Sequence, residues 1–158
     1  MTDYSASKYW STRYGASPHD FDWLAPPAAL VPFLLPLLLS DSEVLIPGCG
    51  TSQLAPELYQ AGVRNLSCID RAEEAIAYIA ERDAALQEMD FSVLDACNMR
   101  GLPDACFDAV STMCFVRRCP SLHRMFCFDN MPAGGGQGAA GHRGLWSGRW
   151  YSLRGARA

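Results

Sequence analysis

Gly48-Cys49-Gly50 closes the apolar run Val44-Leu45-Ile46-Pro47, and Thr51-Ser52 follows it. Glycine has no Cβ, so this turn can take positive φ and let a ligand lie against the backbone. Thr51 and Ser52 are both good N-caps, and the free N–H groups of a helix opening there can hold a carboxylate, directly or through water. Asp70 lies 20 residues beyond Gly50, at the end of a second apolar run. Its carboxylate can accept both hydroxyls of a ribose. Asp95 ends a third run, where it can accept an amine proton of an adenine, with the Ala96 N–H beside it as a donor. Carboxylate, ribose and base in that order describe a site for a nucleoside-type cofactor. A tight strand–helix turn with capping acids explains any one of these features, but not three in register.

The elements that must position these residues are legible in the hydrophobic pattern. Ser5 to Tyr14 has helical spacing of Tyr9, Trp10 and Tyr14. Asp20-Phe21-Asp22-Trp23 is a turn into a proline-interrupted helix ending near Leu39. Val44–Pro47 is apolar on both faces, as a central parallel strand should be. Thr51 to Ala61 spaces Leu54, Leu58 and Ala61 along one side of a helix, and Gly62 stops it. Leu66 to Ile69 is a second strand, Arg71 to Leu86 a helix with Ala75, Ile76, Ile79 and Ala80 inward, and Phe91 to Leu94 a third strand. A fourth strand falls within Phe107 to Phe115. Strands alternating with helices imply a parallel sheet of βαβ units, whose right-handed crossovers put Gly48, Asp70 and Asp95 along one edge.

Composition bounds the rest. A chain of 158 residues, 49% hydrophobic and 19% charged, has room for one domain with a real core. A net charge of −4 gives no reason to expect nucleic acid. The stretch Leu24 to Leu39 contains Pro26, Pro27, Pro32 and Pro36, so it is too short and too broken for a membrane span, and it begins too late for a secretory signal. Seven cysteines with no signal peptide before them fit free thiols in a reducing compartment, the cytoplasm. The charge is uneven: residues 1–110 carry 6 Lys+Arg against 16 Asp+Glu, whereas residues 111–158 carry 7 Arg and the single acid Asp129. From Met131 onward the apolar periodicity stops. The expected division is a cofactor-binding domain over 1–128, with an N-terminal lid over about 5–23, and a disordered Gly/Arg-rich tail over 129–158.

Val44 to Ser52, Cys68-Ile69-Asp70 and Phe107-Asp108-Ala109-Val110 resemble the successive motifs of class I S-adenosylmethionine-dependent methyltransferases. Tyr9-Trp10-x-x-Arg13-Tyr14 followed by Phe21-Asp22-Trp23 is similar to the N-terminus of the methyltransferase-like proteins that modify protein lysines. The resemblance covers about residues 8–110 and implies a Rossmann-like α/β fold, a parallel sheet with flanking helices. It implies S-adenosyl-L-methionine as cofactor and a protein substrate, with elongation factor 1-alpha and citrate synthase known in that group. Trp10, Tyr14 and Trp23 would close over the cofactor. Gly48, within the turn Gly48-Cys49-Gly50, would line its methionine part. Asp70 and Arg71 would hold the ribose, and Asp95 and Ala96 the adenine. The leader aromatics also suit plain core packing of an N-terminal helix, and the two roles are compatible.

The pattern breaks after Val110. Family members usually continue with an acid and then Lys-Gly, and the family's lysine falls on Met113, which neither donates hydrogen bonds nor carries charge. The later strands and the acceptor pocket have no recognisable counterpart, so the sheet is expected to be incomplete at its C-terminal strands. The break suggests an altered reading frame, a splice variant or a truncated gene product, with cofactor binding surviving without turnover. It would also leave a sheet edge for a partner subunit, or for the 111–128 segment, to cover. Two further readings compete. Cys114, Cys119, His123 and Cys127 could form a zinc module, although the usual Cys-x2-Cys knuckle is absent. A dinucleotide could occupy the same turn, although position 53 is Gln where that motif needs a third glycine. His19 and His142 carry no assigned role.

Overall fold

The structure, a computed structural model, describes residues 6–22, 25–103 and 106–111 together with the backbone of Tyr151–Ser152. Five strands form one sheet in the order β3-β2-β1-β4-β5, with β1 Val44–Pro47, β2 Leu66–Asp70, β3 Met89–Val93, β4 Ala109–Val110 and β5 Tyr151–Ser152. The first four are mutually parallel where they pair, and β5 runs antiparallel to β4. Chain order reverses at β1, where β2 lies on one side and β4 on the other. In open α/β sheets the ligand crevice forms at such a switch point, outside the strand C-termini. Gly48 and Asp70 stand there.

β1 is buried at all four positions. Its alternation sends Val44 and Ile46 into the larger core, with Leu66 and Cys68 of β2, and sends Leu45 to the opposite face, with Ile69 and Val110. The helices α2 (Pro27–Leu34), α3 (Leu54–Gln60) and α4 (Glu73–Arg82) supply Leu30, Leu34, Leu54, Leu58, Ile76 and Ile79 to the first core. The opposite face is covered by Met99 and Phe107 from irregular chain. Asp108 locks the sheet at the end away from the crevice: the Glu43 N–H donates to Asp108 Oδ2 (3.0 Å), and the Asp108 N–H donates to the Glu43 carbonyl (2.8 Å).

Several boundaries differ from the sequence expectation, each for an identifiable reason. α1 spans Ser7–Ala16. The proline-interrupted helix is α2 followed by a 3-10 turn, Leu35–Leu37. Pro36 has no N–H to give the Pro32 carbonyl, so the ladder cannot continue as an α-helix there. α3 begins at Leu54 rather than at Thr51 or Ser52. Pro56 leaves the Ser52 carbonyl without its helical donor, and Ser52 Oγ accepts the Leu54 N–H at 3.0 Å. The N–H groups expected to face a carboxylate therefore belong to a helix that opens at Leu54, not at Thr51 or Ser52. Gly62 does end that helix: at φ 102° its N–H donates to the Tyr59 carbonyl, and the Val63 N–H donates to Leu58, the paired bonds of a Schellman turn. α4 is shorter at both ends than Arg71–Leu86.

β4 pairs with β1 on one side and, through Ala109↔Ser152 and Val110↔Tyr151, with β5 on the other. The edge that the sequence leaves to a partner subunit or to segment 111–128 is therefore covered at these two positions by residues of the tail. No helix among the described residues is long and apolar enough to cross a membrane.

Candidate cofactor site

The glycine turn is held by the end of β2. The Gly48 and Cys49 N–H groups both donate to the Ile69 carbonyl, at 2.7 and 3.1 Å. Gly48 and Gly50 take φ of 66° and 52°, the left-handed region that residues with a Cβ avoid. Asp70 then binds both flanks of the crevice: Oδ2 accepts the Gly50 N–H and Oδ1 accepts the Ala72 N–H, each at 2.9 Å. The Arg71 N–H is a further donor to this carboxylate, which still keeps acceptor capacity for a ligand hydroxyl. The Asp70 main chain reaches the third element too, its carbonyl accepting the Leu94 N–H at 2.9 Å.

Asp70 is 9% exposed, and burial pushes its carboxyl above its ordinary value. The Ala72 and Gly50 N–H bonds and the Arg71 charge pull the other way without cancelling that push. Arg71 stands half-buried directly after the strand. Asp95 is exposed and Ala96 half-buried at the end of the next strand–loop. Asp95 Oδ1 accepts the Cys97 N–H at 2.8 Å and its carbonyl accepts the Asn98 N–H at 2.8 Å, so the acid shapes its own turn.

The leader lies directly on this turn. Tyr14 is 7% exposed, and its hydroxyl sits so close to Gly50 that a Cβ there would collide with it. Trp10 stacks on Tyr14 with ring centroids 5.9 Å apart, and both pack against Ala72 and Ala75 at the start of α4. Tyr14 thus stands beside Gly50, with Trp10 stacked on it and both rings part of a small core cluster. Trp23 lies outside the described residues, as do Met113 and the zinc candidates Cys114, Cys119, His123 and Cys127. Among the described residues no group of His, Cys, Asp and Glu could hold a metal ion.

One residue of the site escapes the sequence reading. Arg82 donates to Asp20 on the leader and to the Thr51 and Ser52 carbonyls behind the glycine turn. The available signal was its place on α4, on the inward stripe of Ala75 and Ile79, where a charge needs partners.

Chemically, the crevice offers backbone for close approach, a buried carboxylate for paired hydroxyls, and an exposed acid with an N–H for a base edge. Those groups fit an adenosyl cofactor. Comparisons with known proteins agree. The signature of the family described as a methyltransferase domain matches residues 45–127, running past Val110. The eEF1A lysine and N-terminal methyltransferase of Xenopus laevis is 32% identical over 110 residues, covering 68% of this chain and 16% of that protein. EEF1A lysine methyltransferase 4 of Mus musculus is 28% identical over 109 residues, covering 68% of this chain and 42% of its own. The chain spans less than half the length of these relatives. Among solved structures, phosphoethanolamine N-methyltransferase 1 of Haemonchus contortus, in complex with phosphoethanolamine and S-adenosylhomocysteine, shares the fold at a TM-score of 0.55 and 20% identity, over 68% of this chain and 24% of that one. Fold, crevice and likeness together show that the chain belongs to the methyltransferase-domain family, the class I enzymes whose cofactor is S-adenosylmethionine.

Proposed function

We propose that this chain binds S-adenosylmethionine at the C-terminal edge of the sheet and acts, in the protein to which it belongs, on a lysine side chain of a protein substrate. The observation that carries the cofactor half is the Asp70 carboxylate, buried at the strand end and bonded to both Gly50 and Ala72. In this reading Asp70, with Arg71 beside it, holds the ribose. The Gly48-Cys49-Gly50 turn lines the methionine part, and Asp95 with Ala96 N–H meets the adenine. Trp10, Tyr14 and Trp23 form the lid. The lysine half rests on the relatives named for elongation factor methylation and on the leader motif.

The cofactor supplies a methyl group already activated on a sulfonium. The protein's work is then mainly alignment, together with keeping the acceptor amine neutral. The described residues bind and orient. The seven cysteines of the sequence suit a reducing compartment, which we take as the cytoplasm. Transfer of labelled methyl from S-adenosylmethionine to a protein acceptor in cell lysate, located on lysine by peptide sequencing, tests the reading. Label on lysine supports it. Cofactor binding with no transfer would favour a non-catalytic binding protein, the alternative to which Met113 in the lysine position points.

A further inference from the structure

Arg82 has five N–H donors, and all five are used. Nε donates to Asp83 Oδ1 at 2.9 Å and Nη2 to Asp83 Oδ2 at 2.6 Å, a two-point fork on a buried acid. Nη1 donates to Asp20 Oδ1 at 2.6 Å and to the Thr51 carbonyl at 3.0 Å, and Nη2 also donates to the Ser52 carbonyl at 3.1 Å. The acceptors come from three separate stretches: the leader, the glycine turn and the end of α4. The Ser52 carbonyl is the one that Pro56 leaves without a helical donor. Arg82 therefore supplies a bond the local sequence cannot make.

The leader is sewn to the same turn by independent contacts. Asp20 also accepts from Gln53 Nε2 and, at 3.1 Å, from the Tyr78 hydroxyl. Asp22 accepts from Ser52 Oγ, and the Phe21 N–H donates to the Thr51 carbonyl at 3.4 Å. Upstream, the Tyr14 hydroxyl rests on Gly50. The leader thus touches the turn at Gly50 and again along Thr51–Gln53. Arg82 is bonded to both the leader and the turn backbone.

We infer that Arg82 is a positioning residue: through its fork it makes the ligand-ready shape of the glycine turn conditional on docking of the leader. The inference deepens the proposed cofactor site and rests on it for its ligand consequence, but the coupling itself is a property of the ligand-free chain. A planar fork is required. Lysine carries the charge but only three donors on one nitrogen, which cannot span Asp83, Asp20 and two carbonyls.

Hydrogen exchange on the 158-residue chain tests it, with wild type, Arg82→Lys, Asp20→Asn and, as a control for general loss of stability, Gly62→Ala. Asp20→Asn removes the charge of the leader-side acceptor and leaves Arg82 and its fork on Asp83 in place, so it remains informative where an Arg82 variant fails to fold. The expected result is faster exchange in Asp20→Asn at the leader, 6–22, and at the turn, 48–53, together. Arg82→Lys should give at least the same change, and Gly62→Ala no selective change at either. S-adenosylhomocysteine affinity should fall about tenfold in the first two variants. Faster exchange of the leader with an unchanged turn overturns the inference, as does rescue by lysine. Failure of the wild type to bind S-adenosylhomocysteine refutes the cofactor assignment instead, and the exchange result still decides the coupling.

Discussion

Replacing Gly50 by alanine separates two costs that the structure places at one atom. The first is conformational: φ is 52° at Gly50, and a residue with a Cβ in the left-handed region costs about 1–2 kcal/mol. The second is steric, because the new methyl would overlap the Tyr14 hydroxyl, with Cζ behind it at 3.3 Å. Tyr14 is buried against Trp10, Ala72 and Ala75, so it cannot swing away without moving α1. Overpacking of this kind costs about 1–3 kcal/mol. The lost glycine entropy of the unfolded chain returns roughly 0.4–1 kcal/mol. The net expectation is a loss of about 1–5 kcal/mol, against a total of about 5–15 for an ordinary domain. Urea unfolding measures it through the midpoint at constant slope. The decisive comparison is a double-mutant cycle with Tyr14→Phe. Removing the hydroxyl deletes the worst overlap and leaves the φ cost, so Gly50→Ala should be milder in the Tyr14→Phe background by about 1 kcal/mol or more. An equal cost in both backgrounds would refute the placement of the leader over the turn.

Three further outcomes follow from the same geometry. Asp70→Asn replaces one acceptor oxygen by an NH2 donor and so takes an acceptor from the ribose diol; S-adenosylmethionine affinity should fall by about tenfold or more, the scale of one hydrogen bond to a charged group at ~1.5–3 kcal/mol. Because burial raises the Asp70 carboxyl above 3.8, wild-type affinity should weaken as pH falls through that raised value, while the Asn variant stays flat; titration calorimetry across acid pH reads both. Asp20 is shifted the opposite way: its desolvation is outweighed by hydrogen bonds from Arg82 and Gln53 and by the Arg82 charge, leaving it below 3.8. Its contribution to leader docking is thus present above 3.8 and lost as pH falls through the lowered value, which leader-specific hydrogen exchange should follow. Gly62→Ala, at φ 102° with no atom within 4 Å of the added Cβ, should cost about 1–2 kcal/mol of stability with cofactor affinity unchanged.

What could be read from the sequence was whatever local pattern decides. Val44–Pro47 is four apolar residues between turn formers, and the strand has those bounds. Asp70 announced itself by following the next apolar run, and its position in the structure joins Gly50 to the start of α4. The start of α3 was not legible in the same way. Thr51 and Ser52 have good capping chemistry, but Pro56 denies the Ser52 carbonyl its helical donor, and both carbonyls accept instead from Arg82, 31 and 30 residues away in sequence. No local propensity encodes such a partner. Arg82 itself looks like an ordinary positive end of a helix, a favourable place for a cation. Only its partners, Asp20 and the turn, make it part of the site. Likewise Asp95 suggested a ligand group from spacing alone, whereas half of its carboxylate is spent on Cys97. Asp108, conspicuous within a motif, holds Glu43 at the far end of the sheet.

Calorimetric titration of S-adenosylmethionine into the 158-residue chain, beside Asp70→Asn, bears most directly on the cofactor site. The account predicts saturable one-to-one binding tighter than about 1 mM, or more than ~4 kcal/mol, and markedly weaker in the variant. No heat up to millimolar ligand, or equal affinity in both proteins, would contradict it.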